Sequence, residues 1–397
     1  MRKVYLDHSA TTPADPRVIE AMLPYLTEKF GNASSVHMWG QEARAAVDRA
    51  RRQIASAIGA RANEIVLTSG GTEANNLAIR GVCETARSHG RHIITSAIEH
   101  PSVRGTLDSL EKQGWEVTRL PVYENGIVQV DDVRSALRTD TVLVSVMMAN
   151  NEIGTIQPIA DIGALIRDER RRGRGQMVFH TDAVQALGRI PVDVEGLGVD
   201  LVSMSAHKIY APKGAGALYL RRGVRLEPQQ IGGHQERERR AGTESVASIV
   251  AFGAAVALAE KEMDSRDELM RRLRDRFESE VAARIADIRF NGDPVNRLPH
   301  LSNISFRFIE GEGLLIHLDM QGVAVSTGSA CSSGTLEPSP VIQALGRDEE
   351  LARGAIRFSF GKDNTEDDVD YVIEALARAV ESLRQLSPLS RRTANVI

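Results

Sequence analysis

The sequence predicts an α/β fold, a large domain with a mostly parallel sheet covered by helices plus a smaller α+β domain. Two patterns and a bound on size point to it. Between about residues 60 and 220, short β-branched runs alternate with longer amphipathic ones, which is the signature of a sheet covered on both faces. After a long helical stretch beginning near Thr243, the strands become fewer and mix with helices. The chain has 397 residues, 42% hydrophobic and 26% charged, which is more than one small core needs.

The predicted strands of the first region are 64–68, 92–95, 117–120, 142–147, 177–180, 200–204 and 215–220. Ala74, Leu77, Ala78 and Gly81 fall on one helical face between two of them, and Ile159, Ile162, Leu165 and Ile166 on another. In such sheets ligands bind at the carboxyl ends of the strands. The second region offers strands at 303–308, 323–326 and 355–358. Thr365 to Asp368 reads as a capping box, and Val369, Ile373, Leu376, Val380 and Leu383 follow at helical spacing. Residues 387–397 read as a loose tail.

A net charge of −4 does not call for a nucleic-acid or membrane partner, and the arginine-rich stretch 167–174 reads as a solvated helix end. The N-terminus reaches Asp7 before any apolar signal segment forms, and the longest strongly apolar stretch, 142–149, is interrupted by Ser145. A soluble, cytoplasmic protein is expected. Cys83 and Cys331 are too few for a disulfide framework or a cysteine-built metal site, so any cysteine chemistry belongs to a single thiol. Cys83 sits inside an amphipathic run and reads as a buried, inert thiol, whereas Cys331 lies among small polar residues that suit an exposed loop.

Three predicted strand ends carry chemistry. At Thr68-Ser-Gly-Gly-Thr-Glu-Ala-Asn-Asn76 a strand passes through Gly70 and Gly71 into a helix. That arrangement suits a phosphate, or it is a plain tight turn with Thr72 as N-cap. The strand ending at Thr181-Asp-Ala-Val-Gln185 delivers Asp182 and Gln185, and a carboxylate there can pair with a protonated ring nitrogen. His180 and Asp182 as metal ligands are a rival, but they supply two ligands and no cluster completes the set. The strand ending at Ser203-Met-Ser-Ala-His-Lys208 presents Lys208 beside Ser205 and His207, an amine placed to form an imine with an aldehyde. Phosphate site, ring-nitrogen partner and imine lysine are the needs of one cofactor, pyridoxal 5'-phosphate.

These stretches, with Tyr5-Leu-Asp-His-Ser-Ala-Thr-Thr-Pro13, Glu99-His100, Asn150-Asn-Glu-Ile-Gly154 and Ser326-Thr-Gly-Ser-Ala-Cys-Ser-Ser-Gly334, resemble the cysteine desulfurases of NifS/IscS type. These are fold-type I pyridoxal-phosphate enzymes of the class V aminotransferase group. The resemblance runs over nearly the whole chain in order. It implies a large cofactor-binding domain of residues 16–260, and a small domain of residues 1–15 and 261–397 that carries the catalytic cysteine.

By the same resemblance, Lys208 holds the cofactor aldehyde and shuttles protons, and His100 stacks on the ring and moves protons. Asp182 pairs with the ring nitrogen and Gln185 with the ring hydroxyl. Gly71, Thr72, Ser205 and His207 hold the phosphate. Thr243 reaches the phosphate of a neighbouring subunit, which implies a homodimer. Asn151 contacts cofactor and substrate, and with Arg357 binds the substrate carboxylate; a core histidine and a structural salt bridge are the plain readings of His100 and Arg357.

The resemblance further implies that Cys331 takes sulfur from L-cysteine as a persulfide, leaving L-alanine, and passes it to an acceptor protein. The acceptor would belong to iron–sulfur cluster assembly, tRNA thiolation or DNA phosphorothioation. No resident metal is implied, although Cys331 could transiently ligate a nascent iron–sulfur cluster. A selenocysteine lyase or an aminotransferase on the same fold is the alternative.

Overall fold

The computed structural model describes residues 2–173, 177–327 and 338–387. A two-residue strand, β1 (Val4–Tyr5), opens the chain. Seven strands then build the principal sheet: β2 (Ile65–Thr68), β3 (His92–Ser96), β4 (Glu116–Leu120), β5 (Thr141–Ser145), β6 (Val178–Asp182), β7 (Leu201–Ser205) and β8 (Gly216–Leu220), in the order β2-β8-β7-β6-β5-β3-β4. β3 to β7 pair in parallel, while β8 is antiparallel to both its neighbours, so β2 runs with the parallel set. The carboxyl ends of six strands therefore lie along one edge. Thr68, Asp182 and Ser205 stand there together.

Strands β2, β3, β5, β7 and β8 are buried at every position, as expected of strands covered on both faces. One apolar cluster, with Val47, Ile54, Phe179 and Phe252, fills one side of the sheet. A second, with Leu77, Val82, Leu107 and Leu218, lies around the helices Gly71–Ala86 and Pro101–Glu111.

A separate core gathers the two chain ends. It joins Val4 and Leu6 to Phe277, Phe306, Phe358, Phe360 and the apolar stripe of the last helix, Glu366–Leu386. Its sheet has the order β12-β10-β9, formed by β9 (Ile288–Phe290), β10 (Leu301–Phe306) and β12 (Ala355–Ser359), and β1 pairs in parallel with β11 (Val323–Ala324). The predicted capping box is present: Asp368 N donates to Thr365 Oγ1 at 3.2 Å, and Thr365 N to Asp368 Oδ2 at 3.0 Å. One 39-residue helix, Val246–Arg284, links the two regions, contributing Phe252 and Val256 to one core and Phe277 and Val281 to the other. Among the described residues no helix is long and apolar enough to cross a membrane.

Candidate active site

The carboxyl edge of the principal sheet opens into a cavity of about 280 Å³ whose lining includes Gly71, Thr72, His100, Asn151, Asp182, Gln185, Ser205, His207, Lys208 and Arg357. Seven of these ten come from loops, short turns and strand ends around the sheet, Gly71 and Thr72 from the first turn of the helix after β2, and Arg357 from β12 of the other core.

At the end of β2 the helix Gly71–Ala86 begins with Gly70 as its N-cap and no side chain capping it. Thr72 is thus inside the first turn and is not the N-cap of the plain-turn alternative. The uncapped N–H groups of that turn carry the positive end of the helix dipole. Gly71 is required by contact, because a Cβ there would stand 2.7 Å from Val184 Cγ2.

At the end of β6, Asp182 is buried and accepts from Val184 N on Oδ1 at 2.9 Å and from Asn75 Nδ2 on Oδ2 at 2.6 Å. Two residues earlier, His180 is fully buried between Ser145 Oγ at 2.8 Å and Ser203 Oγ at 2.9 Å. Burial lowers its pKa to about 4, so it is a neutral core histidine with both ring nitrogens engaged. Among the described residues, no cluster of three or more His, Cys, Asp or Glu side chains is arranged to hold a metal ion.

At the end of β7 a short turn, Ala206–Lys208, carries His207 and Lys208. Lys208 Nζ donates to the carbonyls of Ser9 at 2.6 Å and Ala10 at 2.7 Å, which brings the N-terminal segment to the cavity. Arg189 holds the backbone beneath, its Nη2 donating to Lys208 O at 3.1 Å. Tyr210 follows at φ +70°, an unusual backbone for an aromatic residue, fixed by its N–H to Thr12 Oγ1 at 2.8 Å. Burial, helped by the charges of Lys208 and Lys213, lowers the His207 pKa to about 4.

His100 caps the helix Pro101–Glu111, its Nδ1 accepting from Ser102 N at 3.1 Å and lying 2.8 Å from Ser102 Oγ. Burial lowers its pKa, against the charge of Asp182, which raises it. Glu99, one residue earlier, is buried with Oε1 accepting from Ser96 Oγ at 2.6 Å and Met147 N at 2.8 Å, while Oε2 has no partner. Burial raises its pKa to about 8.

Arg357 is both cavity wall and buried ion pair. Its Nη2 donates to Asp7 Oδ1 at 2.6 Å and its Nη1 to Asn151 O at 2.8 Å, and its Nε is buried without a partner. The structural salt bridge and the cavity position are therefore compatible, since a guanidinium carries five N–H donors.

Thr243 is not in this cavity. It lines a separate hollow with Tyr25, Leu26, Phe30, Asn32 and Glu244. Cys331 lies outside the described residues. The chain before it is tied at Ser326, whose N donates to Arg357 O at 3.2 Å, and the chain after it at Ser339, whose Oγ donates to Glu152 Oε2 at 2.5 Å. Cys83 is fully buried, and burial pushes its thiol pKa up, as expected of an inert thiol.

Sequence reasoning missed Asn75, Ser102, Ser9, Ala10, Glu99 and Arg189 as site residues. Asn75 lay inside the glycine-turn motif, and Ser9 and Ala10 lay inside the N-terminal one. Nothing in the sequence marked Ser102.

The aminotransferase class-V family model matches residues 4–372. A curated relative, cysteine desulfurase IscS of Dictyoglomus turgidum, is 52% identical over 98% of this chain and 97% of its own length. A solved NifS-like protein superposes with a TM-score of 0.90 at 36% identity, covering 96% of this chain and all of that one. The structure of SspA in complex with cysteine matches with a TM-score of 0.79 at 34% identity, over 91% of this chain and 99% of that one. With the cavity at the sheet's carboxyl edge and a lysine at its floor, these likenesses place the chain in the aminotransferase class-V family, among its cysteine desulfurases.

Proposed function

We propose that Lys208, Asp182, His100 and Cys331 divide the work in this pyridoxal-phosphate-dependent cysteine desulfurase, which converts L-cysteine to L-alanine. The observation that carries the assignment is the meeting of Lys208, Asp182, the uncapped helix start at Gly71 and Arg357 around one cavity.

The cavity residues fit the cofactor part by part. With no side chain capping the helix start at Gly70, the N–H groups of its first turn are available to a phosphate, and Thr72, Ser205 and His207 add side-chain donors. Gln185 Oε1 is buried without a protein partner and suits the ring hydroxyl. Asp182, fixed by two donors, suits the ring nitrogen. When bound, pyridoxal phosphate supplies an electron sink for negative charge on the substrate α-carbon.

The chain's own groups do the rest. Lys208 Nζ holds the cofactor and takes the α-proton. Asn151 and the unused N–H groups of Arg357 orient the substrate carboxylate. Cys331 thiolate attacks the substrate sulfur, so that an S–S bond forms as the C–S bond breaks, and the electron pair left on the substrate β-carbon takes up a proton to give alanine; an acceptor-protein thiolate then attacks the outer sulfur of the persulfide, takes it and releases the Cys331 thiolate.

Thr243, remote from the cavity of its own chain, lies beside exposed apolar residues such as Leu26, 59% exposed, and Phe30, 71% exposed. These support a homodimer in which Thr243 completes the neighbour's phosphate site. The core around Phe277 supports a small domain that begins near residue 260 and takes in Val4 and Leu6, although Val341, Ile342, Leu345, Ala352 and Ala355 pack into the core of the large sheet.

The test is the visible spectrum of purified protein with alanine release from cysteine. An imine band that is lost in Lys208→Ala together with alanine release supports the assignment. A band and turnover that survive Lys208→Ala refute it.

A further inference from the structure

Between Asp182 and His100 runs a chain of hydrogen bonds whose polarity is fixed link by link. Asp182 Oδ2 is an acceptor, so the group that Asn75 turns to it at 2.6 Å must be the amide Nδ2. The second hydrogen of that Nδ2 goes to Ser102 Oγ at 2.8 Å. With its oxygen accepting from Asn75, the Ser102 hydroxyl has its own hydrogen left for His100 Nδ1 at 2.8 Å. The backbone N–H of Ser102, which can only donate, points at the same Nδ1 at 3.1 Å. Asn75 Oδ1, on the far side of the amide, is buried without a partner. Two donors on Nδ1 leave no room for a proton there, so the imidazole carries its proton on Nε2.

We propose that Asn75 and Ser102 are positioning residues that transmit the orientation of Asp182 to His100, holding it as a neutral imidazole whose Nε2–H is a hydrogen-bond donor toward the cavity. In this form His100 is not a base toward substrate. It offers a hydrogen bond to a group that is negative or becoming so, such as the cysteine sulfur. The lowered His100 pKa, caused mainly by burial, agrees with the neutral state. The inference rests on His100 belonging to the catalytic site, as proposed above, but the relay itself is a property of the protein without cofactor.

The experiment is nitrogen NMR of ¹⁵N-histidine-labelled apoprotein over a pH series, with wild type, Asn75→Asp and Ser102→Ala. Wild type is expected to show His100 as the Nε2–H tautomer, protonating only below the usual histidine range. In Asn75→Asp the new carboxyl oxygen shares a proton with Asp182 and has none for Ser102, so it accepts from the Ser102 hydroxyl, which turns away from His100, and the His100 pKa rises toward or above its ordinary value. Ser102→Ala keeps the backbone donor and so keeps the tautomer, with a smaller pKa change. An Nδ1–H tautomer in wild type, or identical His100 titration in wild type and Asn75→Asp, overturns the relay. If the NMR result holds while cysteine turnover in the loaded enzyme is unaffected by His100→Ala, the relay stands and the catalytic placement of His100 fails.

Discussion

Arg357 and Asp7 form a buried ion pair, Nη2 to Oδ1 at 2.6 Å, that fastens β12 to the N-terminal segment whose next carbonyls, at Ser9 and Ala10, receive Lys208 Nζ. The side chains are 3% and 18% exposed, so water does little to replace either partner. Asp7→Asn leaves an acceptor but removes the charge, and is expected to cost about 2 kcal/mol of stability, as for a hydrogen bond to a charged group. It should also raise the KM for cysteine more than it lowers kcat, because it frees Arg357 from its seat rather than removing a reacting group. Urea melts and steady-state kinetics check both. Unchanged stability and KM would show the pair to be idle.

Gly71 pits helix propensity against contact. Alanine is favoured over glycine in a helix by about 1 kcal/mol. The new Cβ, however, would lie 2.7 Å from Val184 Cγ2, and overpacking of that kind costs about 1–3 kcal/mol. Contact is expected to win, so Gly71→Ala should weaken pyridoxal phosphate binding about tenfold, a change of ~1.4 kcal/mol. Equilibrium dialysis of the apoprotein with cofactor measures it; equal or tighter binding contradicts the cradle.

Glu99 makes a prediction about pH. Burial raises its folded pKa to about 8 from 4.5, with Asp182 adding to the shift and the bonds from Ser96 and Met147 opposing it. Between those values the folded state holds a proton that the unfolded state has released, so the Glu99 contribution to stability is full below 4.5 and is lost as the pH rises toward 8. Glu99→Gln keeps the shape and removes the titration. Its Tm relative to wild type is therefore expected to be nearly level at pH 5 and to climb steadily toward pH 8. A difference that does not vary with pH means that Glu99 is ionised in the fold.

The principal sheet was legible because its strands are short, mostly apolar runs, several of them rich in β-branched residues, bounded by helical patterns, and all seven predicted there are present. β1 and β9 were missed, being two and three residues long with partly exposed positions, too short for alternation to register. Lys208, Asp182 and Gly71 could be found because each lies at, or within three residues past, the carboxyl end of a strand of one sheet. The Asn75–Ser102 contact joins two helix starts 27 residues apart, and only the packing of one helix on the other creates it. Arg357 could be named but not its partner Asp7, which lies 350 positions away. Thr72 is not the cap that a plain tight turn would make of it, because Gly70 takes that place and the helix begins at Gly71, which leaves Thr72 in the cavity lining.

The central claim is that Lys208 works the cofactor while Cys331 takes the sulfur, and a single turnover separates the two. Loaded protein is mixed with less than one equivalent of cysteine, quenched with a thiol alkylator, and analysed for alanine and for the mass of the peptide carrying Cys331. One alanine released for each persulfide on Cys331 is predicted in wild type. Cys331→Ser should retain the imine band but lose both products, and Lys208→Ala should lose the band and the products together. Persulfide and alanine formed at the wild-type rate by Cys331→Ser would contradict the account.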